Sequence, residues 1–337
     1  MNYRSLFLAT LALPVMIACS SSDGTPEESQ PTAELQLVST LTGAPTRGAL
    51  DSDGSITRLQ GTQIAASETV YAWVEDNDGT ASKSYVDAWT LTAVGDGTFT
   101  GAKQYYPATG DNVDVYCLHG NFGAALTGAF PTAALTHTVM ADQSTAASYT
   151  KSDLLYGSVQ NQGRKAEQPI VFKHKLSKIE VKLQAGAGLT AAQLADATTT
   201  VTLLGLKNVA TYTPAKAPAL ASGGDIAAYG GTVSATGTAT DIKMYLQKDN
   251  STGATVVVFG EAVVVPQSVS ATADFLKIRI PDGGDLLARL GGTGDKTFEA
   301  GKKYLYTVTV NLSGISLTST ITDWSDGTGD NLNADIE

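Results

Sequence analysis

The sequence predicts an all-β protein with two β-sandwich domains, and three observations support this fold class. Short apolar runs alternate with polar residues at a period of two from about residue 56 to residue 324, as expected of half-buried strands. Turn residues such as Asn77-Asp78-Gly79 separate these runs, and the chain contains 34 Gly. Room for helix is scarce, since only 189–196 and 284–290 could form one or two turns. This spacing is typical of sandwiches rather than of βαβ units.

The composition excludes several classes of protein. Lys and Arg number 22 against 33 Asp and Glu, which gives a formal net charge of −11, and no basic run offers the positive surface that nucleic acid requires. Three His and two Cys are too few for a dedicated His/Cys zinc site. No Gly-x-Ser-x-Gly elbow, Walker loop or His-Glu-x-x-His motif occurs. We therefore expect a protein that is not an enzyme and that uses no cofactor or metal.

The N-terminus is typical of an exported lipoprotein. Arg4 precedes an apolar run, residues 6–18, which is shorter than the roughly 20 residues that span a bilayer, so we interpret residues 1–18 as a secretory signal peptide. The run ends in Met16-Ile17-Ala18-Cys19 before a polar stretch, which looks like a lipobox. We therefore predict cleavage before Cys19 and attachment of lipid to its sulfur. The alternative is an ordinary leader with a chance cysteine.

A candidate strand and a candidate cleavage loop follow the signal peptide. Residues 20–32 are a polar tether with nothing to bury. In residues 34–41 a period of two predicts a half-buried strand, with three leucines on one face: Leu35, Leu37 and Leu41. Residues 42–49 are small and flexible and carry Arg47, as expected of an exposed loop tip where proteases cut. We therefore interpret residues 19–47 as a lipidated propeptide with a detachable first strand.

Cleavage between Arg47 and Gly48 would free residues 48–337 from the lipid. If the 34–41 strand then departed, an apolar groove would open. Each buried leucine is worth roughly 1.5–3 kcal/mol, so the groove would expose several kcal/mol of apolar surface together with unpaired strand edges. A strand from another chain could fill it by β-augmentation. Arg58 is the second candidate cleavage site, and the other interpretation of Arg58 is an ordinary surface arginine.

A polar stretch divides the remaining chain. Apolar residues are almost absent from 160–169, which predicts a boundary between an N-terminal domain, 48–166, and a C-terminal domain, 167–337. The first long run of the second half, 170–183, changes its apolar parity at Ser177-Lys178, so we predict a β-bulge there.

Three features that could carry chemistry have simpler structural interpretations. His174 lies at an inward parity between two apolar residues, which favours a core histidine over a general base. The acidic stretch 75–79 fails the calcium-loop pattern and is interpreted as a solvated turn, with weak calcium binding as the alternative. The tryptophans could stack on sugars, but their strand contexts favour core packing: Trp73, Trp89 and Trp324.

Several short segments occur along the chain in a fixed order. They are Met16-Ile-Ala-Cys19, Thr46-Arg47, Tyr105-Tyr-Pro107, Asn112-Val-Asp-Val-Tyr116, Asp153-Leu-Leu-Tyr-Gly157, Phe172-Lys-His-Lys-Leu-Ser-Lys-Ile179, Glu299-Ala-Gly-Lys-Lys-Tyr304 and Ile321-Thr-Asp-Trp324. In this order they resemble the landmarks of the fimbrillin family, the type V pilus subunits of Gram-negative anaerobes. The resemblance covers nearly the whole chain.

The resemblance implies both a fold and a function. It implies two tandem transthyretin-like β-sandwich domains with few short helices, and export as an outer membrane lipoprotein. It implies maturation by an arginine-specific protease that releases the first strand, followed by donor-strand exchange with other pilus subunits, including anchor and tip pilins. The implied function is a structural subunit of a cell-surface fimbrium that serves cell adhesion and biofilm formation, without catalytic activity.

The resemblance makes residues 315–337 the candidate donor strand. Its alternating apolar positions are Ile315, Leu317, Ile321 and Trp324. The tail after Trp324 is polar, so either the donor includes the earlier alternating positions or the subunit accepts a donor without supplying one and caps the tip. We favour the polymerising subunit. From another class, the alternative is an anchored glycan-binding β-sandwich lipoprotein with exposed aromatic side chains, and an enzyme is the third hypothesis.

Overall fold

The computed structural model describes residues 33–41, 59, 62–221, 224–249, 254, 256–281, 284–291, 294–311, 314–323 and 334–335. By contacts the chain divides into two units, residues 1–32 and residues 33–337, and every described residue belongs to the second. The described part of the chain contains no helix that is long and apolar enough to cross a membrane.

The predicted all-β class is confirmed, because strands dominate the described residues. The strands of the first half are β1 (Glu34–Leu35), β2 (Leu37–Leu41), β3 (Thr69–Asn77), β4 (Ser82–Ala93), β5 (Phe99–Gly101), β6 (Gln104–Tyr105), β7 (Asn112–His119), β8 (Leu135–Thr138), β9 (Leu155–Gln162) and β10 (Gln168–His174). Those of the second half are β11 (Ser177–Ala185), β12 (Thr200–Pro214), β13 (Gly231–Lys243), β14 (Tyr245–Lys248), β15 (Val258–Val264), β16 (Gln267–Val269), β17 (Asp274–Ile280), β18 (Gly284–Arg289), β19 (Lys296–Phe298), β20 (Lys302–Asn311), β21 (Gly314–Asp323) and β22 (Ala334–Asp335).

Two short helices interrupt the strands, α1 (Ala146–Lys151) and α2 (Ala191–Leu194). Each begins at a threonine whose side chain caps the first turn, Thr145 and Thr190. The second helix lies where the sequence left room for one. The prediction of helix in the other segment, 284–290, is wrong, because β18 occupies this segment and pairs with β17. Pairing with a neighbouring strand decides the conformation of such a short segment more strongly than its own propensity does.

Three larger sheets organise the strands. A seven-stranded sheet has the order β2-β10-β9-β7-β3-β4-β5, and a six-stranded sheet has the order β14-β15-β11-β20-β21-β22. A third sheet has the order β13-β12-β17-β18, with β8 paired to β12. The pairs β2–β10 and β11–β20 are parallel, and the other pairs within these sheets are antiparallel.

The chain passes from the seven-stranded to the six-stranded sheet between His174 and Ser177. The parity change expected as a bulge marks this passage instead, because β10 and β11 belong to different sheets. The predicted domain boundary after residue 166 lies one strand earlier and stays a prediction.

At the passage Lys175 is fully buried, and its Nζ donates to the carbonyls of Ile226 (2.6 Å) and Ala227 (3.1 Å). Burial lowers the pKa of Lys175 to about 8.

Apolar residues cover both faces of the seven-stranded sheet. Along β3, Val70, Ala72 and Val74 belong to one cluster, the N-terminal core, which contains only residues between 35 and 172. The alternate residues Tyr71 and Trp73 belong to a larger cluster, the shared core, which also contains side chains from the six-stranded and third sheets. Burial on both faces explains why β3 reads as a nearly continuous apolar run.

Residues 135–152 tie the two halves of the chain together. Strand β8 pairs with β12 in the register Val209↔Thr138 to Tyr212↔Leu135. The fully buried Gln143 binds both backbone groups of Val263, since its Nε2 donates to the carbonyl (2.8 Å) and its Oε1 accepts from the N–H (2.9 Å). Satisfied buried hydrogen bonds of this kind fix the two halves to each other.

The packing of His137 on β8, within this connection between the two halves, can be tested by the pH dependence of stability. Its Nδ1 accepts from the N–H of Asn121 (3.0 Å), so the proton sits on Nε2, which donates to the Ser152 carbonyl (3.0 Å). Burial lowers the pKa of His137 from 6.5 to about 4. The unfolded chain therefore binds more protons between pH 6.5 and 4, and stability falls as pH falls through that window, by about 3 kcal/mol from this group.

The measurement is denaturant unfolding of wild type and His137→Gln between pH 7 and 4. The variant should lose this part of the pH dependence while it keeps the contributions of the other titrating groups. Identical pH slopes in the two proteins would contradict the assignment.

Candidate functional site

The first described segment, Ala33–Leu41, is the resident strand, and it crosses two sheets. Its first part, β1, pairs with β6, and the carbonyl of Ala33 accepts from the N–H of Tyr106 (2.9 Å). Its second part, β2, runs parallel to β10 in the register Leu37↔Gln168 to Leu41↔Phe172. The resident strand therefore occupies one edge of the β10 ladder.

The opposite edge of the resident strand is also hydrogen-bonded. The N–H of Ser39 donates to the carbonyl of Gly97 (2.7 Å), and Ser39 Oγ donates to the same oxygen (3.2 Å). The N–H of Leu41 donates to the carbonyl of Thr62 (2.8 Å), and Val38 forms a bridge with Thr98. Strand β2 is thus bonded to β10 on one side and to residues 97–98 on the other. Residues 97–98 lead into β5, which lies at the far end of the same seven-stranded sheet.

The side chains of the resident strand alternate between the core and solvent. Leu35, Leu37 and Leu41 are 1%, 5% and 6% exposed and belong to the N-terminal core, whereas Gln36 and Thr40 are exposed. The leucines contribute roughly 1.5–3 kcal/mol each by burial. Departure of the strand would remove all three from the core and would leave backbone groups without partners along both neighbouring edges.

Charge contributes little to holding the resident strand. Among the described residues its one ion pair joins Glu34 to Lys103 at 2.8 Å on the surface, and the hydrogen bond to Glu34 raises the pKa of Lys103. Exposed pairs of this kind contribute little to stability, because water and salt screen them. Apolar burial and the backbone ladder therefore hold the strand.

The predicted lipidation and cleavage residues, Cys19, Arg47 and Gly48, lie outside the described residues, as does Trp324. The candidate donor positions Ile315, Leu317 and Ile321 lie in β21, opposite Val310, Val308 and Tyr304 of β20. Ile321 is partly buried against the shared core. Their roles stay predictions.

In this structure the candidate donor segment is itself paired. Strand β21 pairs with β20 along its full length, from Lys302↔Asp323 to Asn311↔Gly314. Strand β22, by contrast, is held to β21 by two pairs, Thr318↔Asp335 and Ser319↔Ala334. Among the described residues, β22 therefore makes fewer pairs with β21 than β21 makes with β20.

The other residues with possible chemistry are packed inside the structure. Trp73 and Trp89 are 2% and 7% exposed, and their Nε1 atoms donate to the carbonyls of Gly128 (2.9 Å) and Ala102 (2.8 Å). Neither tryptophan can offer an exposed face to a sugar. His174 is 2% exposed, with Nδ1 2.8 Å from Asp153 Oδ2, as expected of a core histidine.

The acidic stretch at residues 75–79 is built around a turn. Asp78 Oδ1 accepts from the N–H groups of Thr80 (2.8 Å) and Ala81 (2.9 Å) and from Thr80 Oγ1 (2.6 Å). These hydrogen bonds lower the pKa of Asp78 to about 2, and the one from the Thr80 side chain has the largest effect. Among the described residues, no group of three His, Cys, Asp or Glu side chains is placed to hold a metal ion.

The comparison with known protein families matches the Fimbrillin-like family to residues 57–324. The chain belongs to the fimbrillin-like family. A Bacteroides uniformis protein named "Putative fimbrium subunit Fim1C" is 31% identical over 182 residues, which are 52% of this chain and 52% of that protein. The chain therefore spans 52% of the length of this curated relative.

Crystal structures with similar folds come from the same genus. A Bacteroides uniformis protein described as a "putative cell adhesion protein" has a TM-score of 0.57 at 23% identity, covering 88% of this chain and 100% of that one. A Bacteroides ovatus protein with the same description has a TM-score of 0.60 at 15% identity, covering 88% and 99%. At these identities the likeness shows the fold.

Sequence reasoning missed one feature of this fimbrillin-like chain, a buried ion cluster on the six-stranded sheet. Lys178, Glu180 and Glu261 are each at most 1% exposed. In β11 the charged residues Lys178 and Glu180 alternate with Ile179 and Val181, a pattern that predicts a solvent-facing side. Nothing in that local pattern shows that the second face is covered as well.

Replacing a buried leucine with a charge tests how the resident strand is held. Leu37→Asp should lower the free energy of unfolding by several kcal/mol, because a carboxylate would be buried in the N-terminal core without a partner. Gln36→Asp places the same charge on the exposed side of the same strand and should cost less than about 0.5 kcal/mol. Denaturant unfolding measures both, and equal stability of the two variants would show that the segment does not pack.

Gly97 tests the second edge of the strand. It has φ 97°, and a Cβ there would approach Gln63 Oε1 to 2.8 Å and the carbonyl oxygen of Ser39 to 2.9 Å. Gly79, at φ 83° with nothing within 4 Å, is the matched control. Both changes to Ala carry the left-handed cost of about 1–2 kcal/mol, and only Gly97→Ala adds a clash with the resident strand.

Gly97→Ala should therefore be less stable than Gly79→Ala by at least about 1 kcal/mol and should speed hydrogen exchange at the Ser39 amide. Unchanged exchange at Ser39 would mean that this edge does not constrain the strand.

Proposed function

We propose that this chain is a structural subunit of a cell-surface fimbrium, polymerised by donor-strand exchange and serving cell adhesion and biofilm formation. The subunit is exported as an outer membrane lipoprotein on Cys19 and activated by an arginine-specific protease that cuts after Arg47. The observation that carries this proposal is the resident strand. It is hydrogen-bonded on both edges and fills the N-terminal core with three leucines, Leu35, Leu37 and Leu41.

Cleavage is required because the resident strand is covalently attached to its own groove. A strand joined by a short linker competes at an effective concentration in the millimolar range, which a donor from another chain does not reach. Cutting after Arg47 turns the resident strand into a separate peptide. Once this peptide dissociates it is diluted into the solution, so it no longer competes for the groove at a high effective concentration. The groove that remains combines a strip of apolar core with the unpaired edges of β10 and of residues 97–98.

A donor must satisfy both parts of that groove. It needs apolar side chains at alternate positions and a free backbone to pair with two edges. Residues 315–337 supply the candidate donor, with Ile315, Leu317, Ile321 and Trp324 as its apolar positions. Release beginning at β22 is supported by the pairing of the described residues, in which two pairs join β22 to β21 and ten pairs join β21 to β20.

The family supports assembly with other pilus subunits, and the packing supports a passive structural role. The tryptophans that a glycan-binding alternative would use, Trp73 and Trp89, lie inside the cores. The candidate general base His174 is likewise buried. These buried side chains therefore give no support to the glycan-binding or the enzymatic alternative; the large aromatic side chains that are exposed among the described residues are Tyr85 and Tyr105.

The test is brief digestion of the purified chain with an arginine-specific protease, followed by mass spectrometry and an unboiled denaturing gel. Wild type should be cut once early, after Arg47, and should then form a ladder of stable multimers. Arg47→Ala should remain a folded monomer, because the resident strand stays attached to its groove. Arg279→Ala, which removes an arginine that is 68% exposed at the side chain, should behave as wild type.

Efficient multimer formation by Arg47→Ala would contradict the mechanism. Cleavage after Arg47 without multimers would identify a subunit that accepts a donor without supplying one, as expected of a tip. Resistance of wild type at Arg47 would favour the anchored glycan-binding alternative.

A further inference from the structure

The buried ion cluster of the six-stranded sheet contacts the start of the chain. Glu180 and Glu261 lie directly opposite each other on β11 and β15, which places two carboxylates side by side. Lys178 joins them, with Nζ 2.6 Å from Glu261 Oε1 and 3.1 Å from Glu180 Oε1. One oxygen of Glu261 is thereby assigned to the ammonium, and its second oxygen points elsewhere.

That second oxygen binds the main chain of a distant segment. Glu261 Oε2 accepts from the N–H of Leu59, at 3.2 Å across 202 residues of sequence, and from Nε2 of Gln247, at 3.4 Å. The side chain of Leu59 packs against the shared core. Leu59 and Leu41, at the end of the resident strand, line the same small cavity.

The charge state of the cluster favours this contact. Burial alone lowers the pKa of Lys178, but the carboxylates of Glu261 and Glu180 more than compensate and raise it. The ammonium therefore stays charged, and its ion pair with Glu261 at 2.6 Å fixes the position of that buried side chain. A carboxylate is a stronger acceptor for a backbone N–H than a neutral oxygen is. The geometry thus supplies a strong, preorganised anchor for one peptide group.

The anchored N–H belongs to the peptide bond between Arg58 and Leu59. A protease must draw the chain on both sides of the cut into an extended conformation in its own cleft, which requires the anchored amide and the packed Leu59 side chain to leave together. Cleavage there then depends on local opening of the fold.

We propose that Glu261, oriented by Lys178, anchors the chain at Leu59 and sets the inner limit of proteolytic processing. This inference rests on the proposed processing by an arginine-specific protease. Leu59 is then an anchored position of the part that stays, which is residues 48–337 after a cut following Arg47. Of the two candidate sites, it excludes the Arg58–Leu59 bond in the folded subunit and leaves Arg47.

The experiment is a time course of limited digestion of the full chain with an arginine-specific protease, read by intact mass. Digestion is carried out on wild type and on Arg47→Ala, so that a cut after Arg58 is not hidden by an earlier one. In both, the product that begins at Leu59 should form at least about tenfold more slowly than the Arg47 product forms in wild type. Glu261→Gln should accelerate the Arg58 cut at least about tenfold, because a neutral side chain holds the amide less firmly.

Glu75→Gln is the matched control. Glu75 is a buried glutamate (7% exposed) that pairs with Lys216, whose side chain is 40% exposed, so the variant loses an ion pair of a buried glutamate without touching the Leu59 amide. Its rate of cleavage after Arg58 should stay within about twofold of wild type. Equal acceleration in Glu75→Gln and Glu261→Gln would show that general loss of stability exposes the bond, and the anchor would be rejected.

A second measurement keeps the proposal testable if Glu261→Gln does not fold. Hydrogen exchange at the Leu59 amide of the wild-type chain should be protected, and exchange at the rate of an open loop would overturn the proposal. So would rapid cleavage of wild type after Arg58. That cut consumes one water and leaves a carboxylate on Arg58 and an ammonium on Leu59, and a rise in stability afterwards would show Glu261 to be the partner of a new N-terminus.

Different experimental results would contradict the anchor at Leu59 and the proposed function. Cleavage after Arg47 without multimers would contradict self-polymerisation of this subunit and leave the anchor intact. Rapid cleavage after Arg58 with normal multimers would contradict the anchor and leave donor-strand assembly intact.

Discussion

Hydrogen bonding along both edges of one short strand is the constraint on which the rest of this structure depends. Strand β2 pairs with β10 on one side and with Gly97 and Thr62 on the other. An interior strand of this kind cannot be left out without unpairing backbone groups on two neighbours. The N-terminal core is complete because the leucines of this strand fill that position.

Much of the packing of the molecule does not involve the resident strand. Gln143 and the β8–β12 pairing tie the halves together away from the resident strand. The shared core buries the opposite face of the seven-stranded sheet and draws on both halves. Loss of the resident strand would therefore remove one part of one core and leave the larger core and both junctions in place.

The sequence predicted the elements better than their connections. The period of two in residues 34–41 indicated a strand with one apolar face, because in-out alternation is a local property. Residues 170–183 show where local reasoning stops. Their parity change suggested a bulge, yet it marks the passage between two sheets, because the same local signal arises whenever the buried side changes. Residues 284–290 became a strand because β17 pairs with them.

The sequence by itself determined the fold class, the family landmarks and the amphipathic character of the first strand, because composition and periodicity depend on neighbours within a few positions. Only the tertiary structure decided that this strand is bonded on two edges, and that Lys178, Glu180 and Glu261 are buried together. It alone brought Glu261 to the amide of Leu59. The contacts of Glu261 with Lys178 and Leu59 join residues 83 and 202 positions apart, and their energies depend on burial that no local pattern specifies.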